Sequence, residues 1–348
     1  MRVPEGSTIL VSGGAGYIGS HASYALRQAG YLPVVMDNLV TGNPWAMAFG
    51  ESEIGDIGDG DFVRAVCKKY RPVAAMHFAA FIEVGESVKN PTKYFTNNFD
   101  KASRFFKTLA ECDVKKIVFS STAAVYGDVD GKAPITESFP AQPINPYGQS
   151  KLDAETYLRS LDGDGINSIT LRYFNVAGAA EAEANIGEAH APETHLIPRL
   201  LLPLLGTPEN LLRKLDLHKG FTIYGNDYPT PDGTAIRDYI HVLDLVDAHL
   251  KALKALLNGG KTDIFNLGSG QGFSVLEIVN EVRNILNNQN LQPRVAPRRA
   301  GDPTTLIASN DKAASLLGWR PTRSLSHIIK DAAAWHQSPR YRDALAAK

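Results

Sequence analysis

Tyr147 and Lys151, separated by Gly148-Gln149-Ser150, are the pair in this chain best suited to move a proton. On a helix, residues four apart share a face, so phenol and ammonium would reach one ligand together. A free phenol titrates near ~10, and a neighbouring positive charge favours its ionised form. Lys151, with an oxidised nicotinamide, would bring Tyr147 toward working pH as a general base. Since the chain carries 13 Tyr, a lysine four residues on can also arise by chance, and the pair gains meaning from its address. Asn145-Pro146 just before it is a helix-start signal. Ser120-Ser121-Thr122 closes an apolar run, where a hydroxyl could hydrogen-bond the same substrate oxygen.

A dinucleotide is what the opening of the chain is built to hold. The run Thr8-Ile9-Leu10-Val11 breaks into Ser12-Gly13-Gly14-Ala15-Gly16-Tyr17-Ile18-Gly19 and continues at helical spacing. Gly13 would permit the strand-to-helix turn, Gly16 the approach of bare backbone to a pyrophosphate, and Gly19 close packing of helix on sheet. An ordinary glycine loop is the competing reading. A second apolar run, Pro33 to Met36, ends at Asp37-Asn38, about 20 residues further on, where a carboxylate can accept from both adenosine ribose hydroxyls. The same carboxylate would repel a 2′-phosphate, and Asn38 to Thr41 contain no Arg or Lys to hold one, so NAD is expected rather than NADP.

These residues need strands to carry them. Further short apolar runs recur with helical stretches between them, at 74–78, 116–120, 168–172 and 263–266. Such alternation predicts an α/β fold with a doubly wound parallel sheet (Rossmann), whose ligands gather at the C-terminal strand ends. From about Gly178 the composition shifts to Pro, Gly and Glu, which predicts a smaller mixed α/β substrate lobe. The expected division is an NAD-binding domain over 1–176, with 236–265 returning to it, and a lobe from 177–235 and 266–348.

Composition excludes several classes. The 348 residues are 44% hydrophobic and 21% charged, ordinary for a folded domain with a sizeable core. A net charge of −1 without charged runs predicts no nucleic-acid partner and no anionic membrane partner. No apolar run reaches about 18 residues and no leader pattern is read at the N-terminus, so the chain is expected to stay in the cytoplasm. Cys67 and Cys112 lack metal-ligand spacing and fit a reducing compartment; no metal is expected.

Read together, the motifs make the chain resemble the extended short-chain dehydrogenases/reductases, and within them the UDP-hexose 4-epimerases, over nearly its full length. The resemblance rests on GGAGYIGSH from Gly13, DN at Asp37, HFAA from His77, VGES from Val84 and NPYGQSK from Asn145. It continues in LRYFN from Leu171, GNDYPTPDGT from Gly225, IRDYIHVLDL from Ile236 and PRRAGD from Pro297. It implies that Tyr147 takes the proton of the sugar 4-hydroxyl, that Lys151 holds the nicotinamide ribose and lowers the phenol's pKa, and that Thr122 orients the 4-oxygen. For NAD it implies contacts from Gly13, Gly16, Tyr17, Ile18, Gly19, Asp37, Asn38, Asp56, Ile57, Phe78, Ala79, Ala80, Asn97, Ser120, Tyr147, Lys151 and Phe174. For a UDP-hexose substrate it implies Asn175, His195, Leu196, Tyr224, Arg237, Arg299, Asp302 and Leu306 beside Thr122. Two guanidiniums suit the two phosphates, although surface ion pairing would account for either, and Asp302 could equally cap a loop.

Three positions depart from relatives: Ile82 stands where some carry a phosphate-contacting Lys, His195 where others have Asn, and Leu306 where others have Tyr or Cys. The implied activity interconverts UDP-glucose and UDP-galactose through a 4-keto sugar, with N-acetylated or pentose UDP-sugars as alternatives. A dehydratase would place Asp-Glu after Thr122, where Ala123-Ala124 stand, and a decarboxylase a Glu just before Val125-Tyr126-Gly127. A non-catalytic dinucleotide sensor is the reading from another class. The resemblance also implies a homodimer, through apolar helix faces near 99–109 and 152–161, which core packing would equally explain.

Overall fold

Parallel strands, apolar on both faces, form the centre of the molecule. The computed structural model describes residues 6–129, 134–289, 291–299 and 302–347. Its main sheet contains β1 (Thr8–Ser12), β2 (Leu32–Asp37), β3 (Glu51–Ile54), β4 (Ala74–His77), β5 (Lys116–Thr122), β6 (Asn167–Tyr173) and a late strand at Asp263–Leu267. Three short strands precede that one in the chain, β7 (Asn175–Ala177), β8 (Thr222–Tyr224) and β9 (Ile236–His241), so it is β10. Spatial order is β10-β6-β5-β4-β1-β2-β3, and every neighbouring pair is parallel. The chain departs from β1 in both directions, so β1 and β4 flank the switch point that opens a crevice at the strands' C-terminal ends.

Helices cover both faces. After β1 runs α1 (Tyr17–Gln28); α2 (Gly60–Tyr70) follows β3; α3 (Val84–Lys89), α4 (Pro91–Tyr94), a π-helical turn at 95–101 and α5 (Ala102–Glu111) follow β4. Between β5 and β6 lies α6 (Pro146–Ser160). The substrate-side segment holds α7 (Leu196–Leu204) and α8 (Glu209–Lys214), while α9 (Val242–Leu257) returns to the main sheet. Leu26 of α1 and Leu245, Leu253 and Leu256 of α9 pack on one face, with Ile9, Val11 and Leu171 from the strands. Val63 of α2, Phe105, Phe106 and Leu109 of α5 and Leu158 of α6 pack on the other. Apolar residues of the 99–109 and 152–161 faces thus line this core.

The remaining elements build the second layer. They are β11 (Gly272–Ser274), α10 (Val275–Ile285), β12 (Arg294–Ala296), β13 (Thr305–Leu306), α11 (Asp311–Leu316), α12 (Leu325–Gln337) and α13 (Pro339–Ala347). In a four-stranded sheet β9 pairs antiparallel with β11 and parallel with β7 and β13; β8 and β12 form a separate parallel pair. Of the 236–265 segment expected on the NAD side, α9 and the start of β10 join the main sheet, whereas β9 is central to the small one. Its Arg237 and Tyr239 take part in pairings that β1 to β6 do not share. Both Ser274, at the start of α10, and Ser324, at the start of α12, cap their helices by accepting a backbone N–H three residues on. Among the described residues no helix is long and apolar enough to cross a membrane.

Candidate active site

The glycine turn after β1 leaves no room for side chains where backbone meets backbone. Gly13 has φ +74°, and a Cβ there would stand 2.4 Å from the Ala79 nitrogen. At Gly19 a Cβ would lie 2.2 Å from the Gly13 carbonyl oxygen. Gly16 is the N-cap of α1 and offers no side-chain acceptor to the first amides of the helix. Those amides are left for a ligand, and with the positive end of the helix dipole they favour an anion such as a pyrophosphate.

Asp37 ends β2 beside this turn. Its Oδ2 accepts from Ala15 N–H at 3.0 Å and its Oδ1 from Leu39 N–H at 2.8 Å. Burial raises its pKa against those two hydrogen bonds. Asn38 donates to Asp56 at 3.2 Å, and Lys101 pairs with the same Asp56 oxygen at 2.5 Å. Partial burial would raise Asp56, but these partners and Gly58 N–H hold its carboxyl below the usual range. Ile57 is buried beside it. Phe78, Ala79 and Ala80 follow β4 directly, and Asn97 lies on the π-helical turn, donating to Asn98. Tyr17 donates to the Gly178 carbonyl at 2.7 Å, tying α1 to the end of β7, and Ile18 packs on the core beneath. With the glycine turn after β1, Asp37, Asp56 and Phe78 mark one edge at the C-terminal ends of β1 to β4. It fits a dinucleotide: bare amides for phosphates at one point, a carboxylate for ribose at another.

Asn145 caps α6 by accepting Gly148 N–H at 2.8 Å, and Pro146 pre-sets its first turn. That start fixes Tyr147 and Lys151 on the face toward β5. Thr122 ends β5 near enough to the Tyr147 phenol to favour its ionised form, and its Oγ1 accepts Ala124 N–H at 3.1 Å. Burial pushes the phenol above its ordinary value; Thr122 pulls it back and the Glu83 carboxylate pushes it further. Lys151 lies one turn further along α6. The lysine is buried with Nζ 4.4 Å from the centre of the Phe119 ring, and burial lowers its pKa to about 7 against the pull of Glu155. Ser120 lies two residues before Thr122 on β5, and the Tyr173 hydroxyl hydrogen-bonds His249 Nε2 at 2.5 Å.

The small sheet assembles the substrate side. Leu306 is the register partner of Arg237 and packs in one cluster with Phe174. Arg237 Nη2 lies 3.6 Å from Asp302, and the Arg299 guanidinium stacks 4.0 Å from the centre of the Tyr224 ring. Asp302 is therefore an ion-pair partner more than a loop cap. Asn175 faces Tyr239 across β7 and β9. His195 is the N-cap of α7 and Leu196 its first residue. Ile82 is exposed. Ala300 and Gly301 of the PRRAGD segment lie outside the described residues.

Several polar groups at the site gave no signal in the sequence. Arg172 at the end of β6 forms a buried fork on Glu155, one turn beyond Lys151, with contacts of 2.6 and 3.0 Å, and Ser121 donates to the same carboxylate. Glu83 accepts from Thr194 at 2.8 Å, linking the loop after β4 to the one before α7. Neither pair has a recognisable spacing, since each joins elements distant in the chain.

Residues 9–268 match the family described as the NAD dependent epimerase/dehydratase family. Over 334 residues the chain is 46% identical to a UDP-glucose 4-epimerase of Lacticaseibacillus casei, spanning 95% of this chain and 97% of that one. Its fold is similar to the crystal structure of a UDP-glucose 4-epimerase from Brucella ovis in complex with NAD, with TM-score 0.86 and 42% identity over 94% of this chain and 98% of that one. It is similar also to a UDP-glucose-4-epimerase from Stenotrophomonas maltophila with bound NAD and formylated UDP-arabinopyranose. That likeness has TM-score 0.87 and 33% identity over 98% of this chain and 100% of that one.

Proposed function

The chain belongs to the NAD dependent epimerase/dehydratase family, and from that premise we propose that it interconverts UDP-glucose and UDP-galactose by oxidation and re-reduction at C4 through a 4-keto sugar. NAD, when bound on the glycine turn and Asp37, supplies the hydride acceptor and a positive charge that draws a nearby phenol toward ionisation. Tyr147 takes the proton of the 4-hydroxyl and returns it. The Thr122 hydroxyl steers the 4-oxygen to that phenol, and Lys151 holds the nicotinamide ribose. Arg237 and Arg299 grip the two phosphates of the substrate, so the keto ring can turn over while tethered and be reduced on its other face. Asn175, His195, Leu196, Tyr224 and Asp302 complete the nucleotide-sugar side.

The observation that carries this reading is the placement of Tyr147 and Lys151 one helical turn apart on α6, with Lys151 over the Phe119 ring of β5 and Thr122 ending that strand where the glycine turn opens. Elimination has less support, because Ala123 and Ala124 stand where it needs a carboxylate. Replacing Tyr147 with Phe should lower turnover of UDP-galactose by roughly 10²-fold or more while NAD stays bound. Wild-type rates in that variant would overturn the assignment, and a 4-keto-6-deoxy product would overturn the reaction. The reading extends to a cytoplasmic homodimer. Its free thiols Cys67 and Cys112 fit a reducing compartment, and Phe99 and Tyr157 are only partly covered by the core beneath α5 and α6. Light scattering should give twice the chain mass.

A further inference from the structure

Two glutamates and two histidines converge on the loop between β7 and α7, and of these only His195 also belongs to the nucleotide-sugar side described above. One ligand-type atom from each of Glu188, His190, Glu193 and His195 lies within 4.8 Å of all the others. Glu188 Oε1 faces His195 Nδ1 at 2.7 Å and His190 Nδ1 at 2.9 Å, while Glu193 Oε1 faces His195 Nδ1 at 3.0 Å. Both carboxylates are buried, Glu193 completely. Its second oxygen, Oε2, has no hydrogen-bond partner. Two further buried atoms without partners, His336 Nδ1 and Tyr341 Oη, belong to side chains within the electrostatic reach of these carboxylates. A carboxylate oxygen buried without a donor is costly, and a native fold normally gives it a proton, a water or a cation.

We propose that Glu188, His190, Glu193 and His195 bind one divalent transition-metal ion, of the class that takes mixed imidazole and carboxylate ligands, and that this ion pins the loop leading into α7. Two imidazole nitrogens and two carboxylate oxygens are a tetrahedral set suited to zinc. The charges balance as well: two carboxylates neutralise a dication, so a buried site ends without net charge. Binding displaces the proton that each Nδ1 shares with Glu188, and each neutral ring then carries its proton on Nε2. With tetrahedral metal bonds of about 2.0–2.2 Å the ligand atoms stand roughly 3.4 Å apart, so the widest separation closes by up to about 1.4 Å while Glu188 and His195, now at 2.7 Å, move apart by roughly 0.7 Å. His190 and His195 are the more exposed members, so the ion enters from their side.

The test uses the full-length protein with its NAD and without affinity-tag histidines, stripped with dipicolinate and dialysed. Calorimetric titration with zinc chloride, checked by elemental analysis, should show one equivalent per chain bound at micromolar concentration or tighter, and zinc should raise the melting temperature. Glu193→Gln and His190→Ala should each weaken binding by roughly tenfold or more, and millimolar magnesium should not compete. Cobalt on the unmutated protein should give the intense visible bands of a four-coordinate ion, a readout that stands even if a variant fails to fold. No stoichiometric zinc, zinc bound equally well by both variants, or a weak six-coordinate cobalt spectrum would each overturn the proposal. None of these measurements depends on turnover, so their failure is distinct from failure of the epimerase reading.

Discussion

At the scale of single residues, the reaction centre combines two groups whose surroundings oppose their charged forms. Burial raises Tyr147 and brings Lys151 down from 10.5 to about 7. Because the folded-state pKa of Lys151 lies below its unfolded value, the unfolded chain keeps a proton that the folded chain gives up between pH 7 and 10.5. Stability from this group therefore rises with pH through that window and is lowest below it. Lys151→Met should stabilise the NAD-stripped protein at pH 6 by on the order of 3–5 kcal/mol and by less at pH 9, while turnover collapses. Thermal melts at both pH values check this, and a loss of stability at pH 6 would contradict it. Leu306 supports a second prediction, since it packs with Phe174 and pairs with Arg237. Trimming it to Cys should raise kcat/KM for UDP-N-acetylgalactosamine relative to UDP-galactose by about tenfold, the scale of one or two methylenes in a pocket. Specificity constants for both sugars measure it.

At the scale of elements, the β1 turn and α1 separate packing from ligand binding within seven residues. A Cβ at Gly19 would meet backbone at 2.2 Å, where nothing can swing aside, whereas at Gly16 it would meet only the Gly13 oxygen at 3.2 Å. Gly19→Ala should thus cost more than about 3 kcal/mol, because α1 must leave the sheet. Gly16→Ala should leave the melting of the NAD-free protein within about 1 kcal/mol but weaken NAD, whose phosphates need that approach. Denaturant unfolding and NAD titration of both variants separate the two roles. This turn was legible in the sequence because glycine chemistry is local, as were the central strands, whose apolar runs reflect burial on both faces. The edge strand β3 was not, since three of its four residues are exposed and its Glu51-Ser52-Glu53 carries no apolar run. Ser120 to Thr122 consequently end the fifth strand in chain order, although only three apolar runs precede theirs in the sequence. The stacking of Arg299 on Tyr224 and the pairing of Arg237 with Asp302 were also hidden, because strands of two and three residues leave no period to read. The same holds for Glu188 to His195, which lie outside helix and strand.

At the scale of the whole molecule, two layers with separate cores share one ligand-binding edge. The main sheet presents the glycine turn, Asp37 and the Tyr147 centre, while the cluster of α7, α10 and α12 supports β8 and β9, which carry Tyr224 and Arg237. NAD and the nucleotide of the substrate should accordingly stabilise the protein through different residues. UDP at about 100 times its Kd should add roughly 2.7 kcal/mol to the NAD-bound form, which in a chain of this size raises the melting temperature by several degrees. Arg237→Ala with Arg299→Ala should abolish the UDP shift and leave the NAD shift intact. Removing Arg237 also leaves Asp302 without its partner at 3.6 Å, a carboxylate that would then repel the diphosphate. Asp302→Asn in the double variant should recover part of the UDP shift, and the recovery should shrink at high salt because both charges are partly exposed. Melts with each ligand in all three proteins decide the matter: equal loss of the NAD and UDP shifts would mean that the arginines hold the fold together rather than the diphosphate.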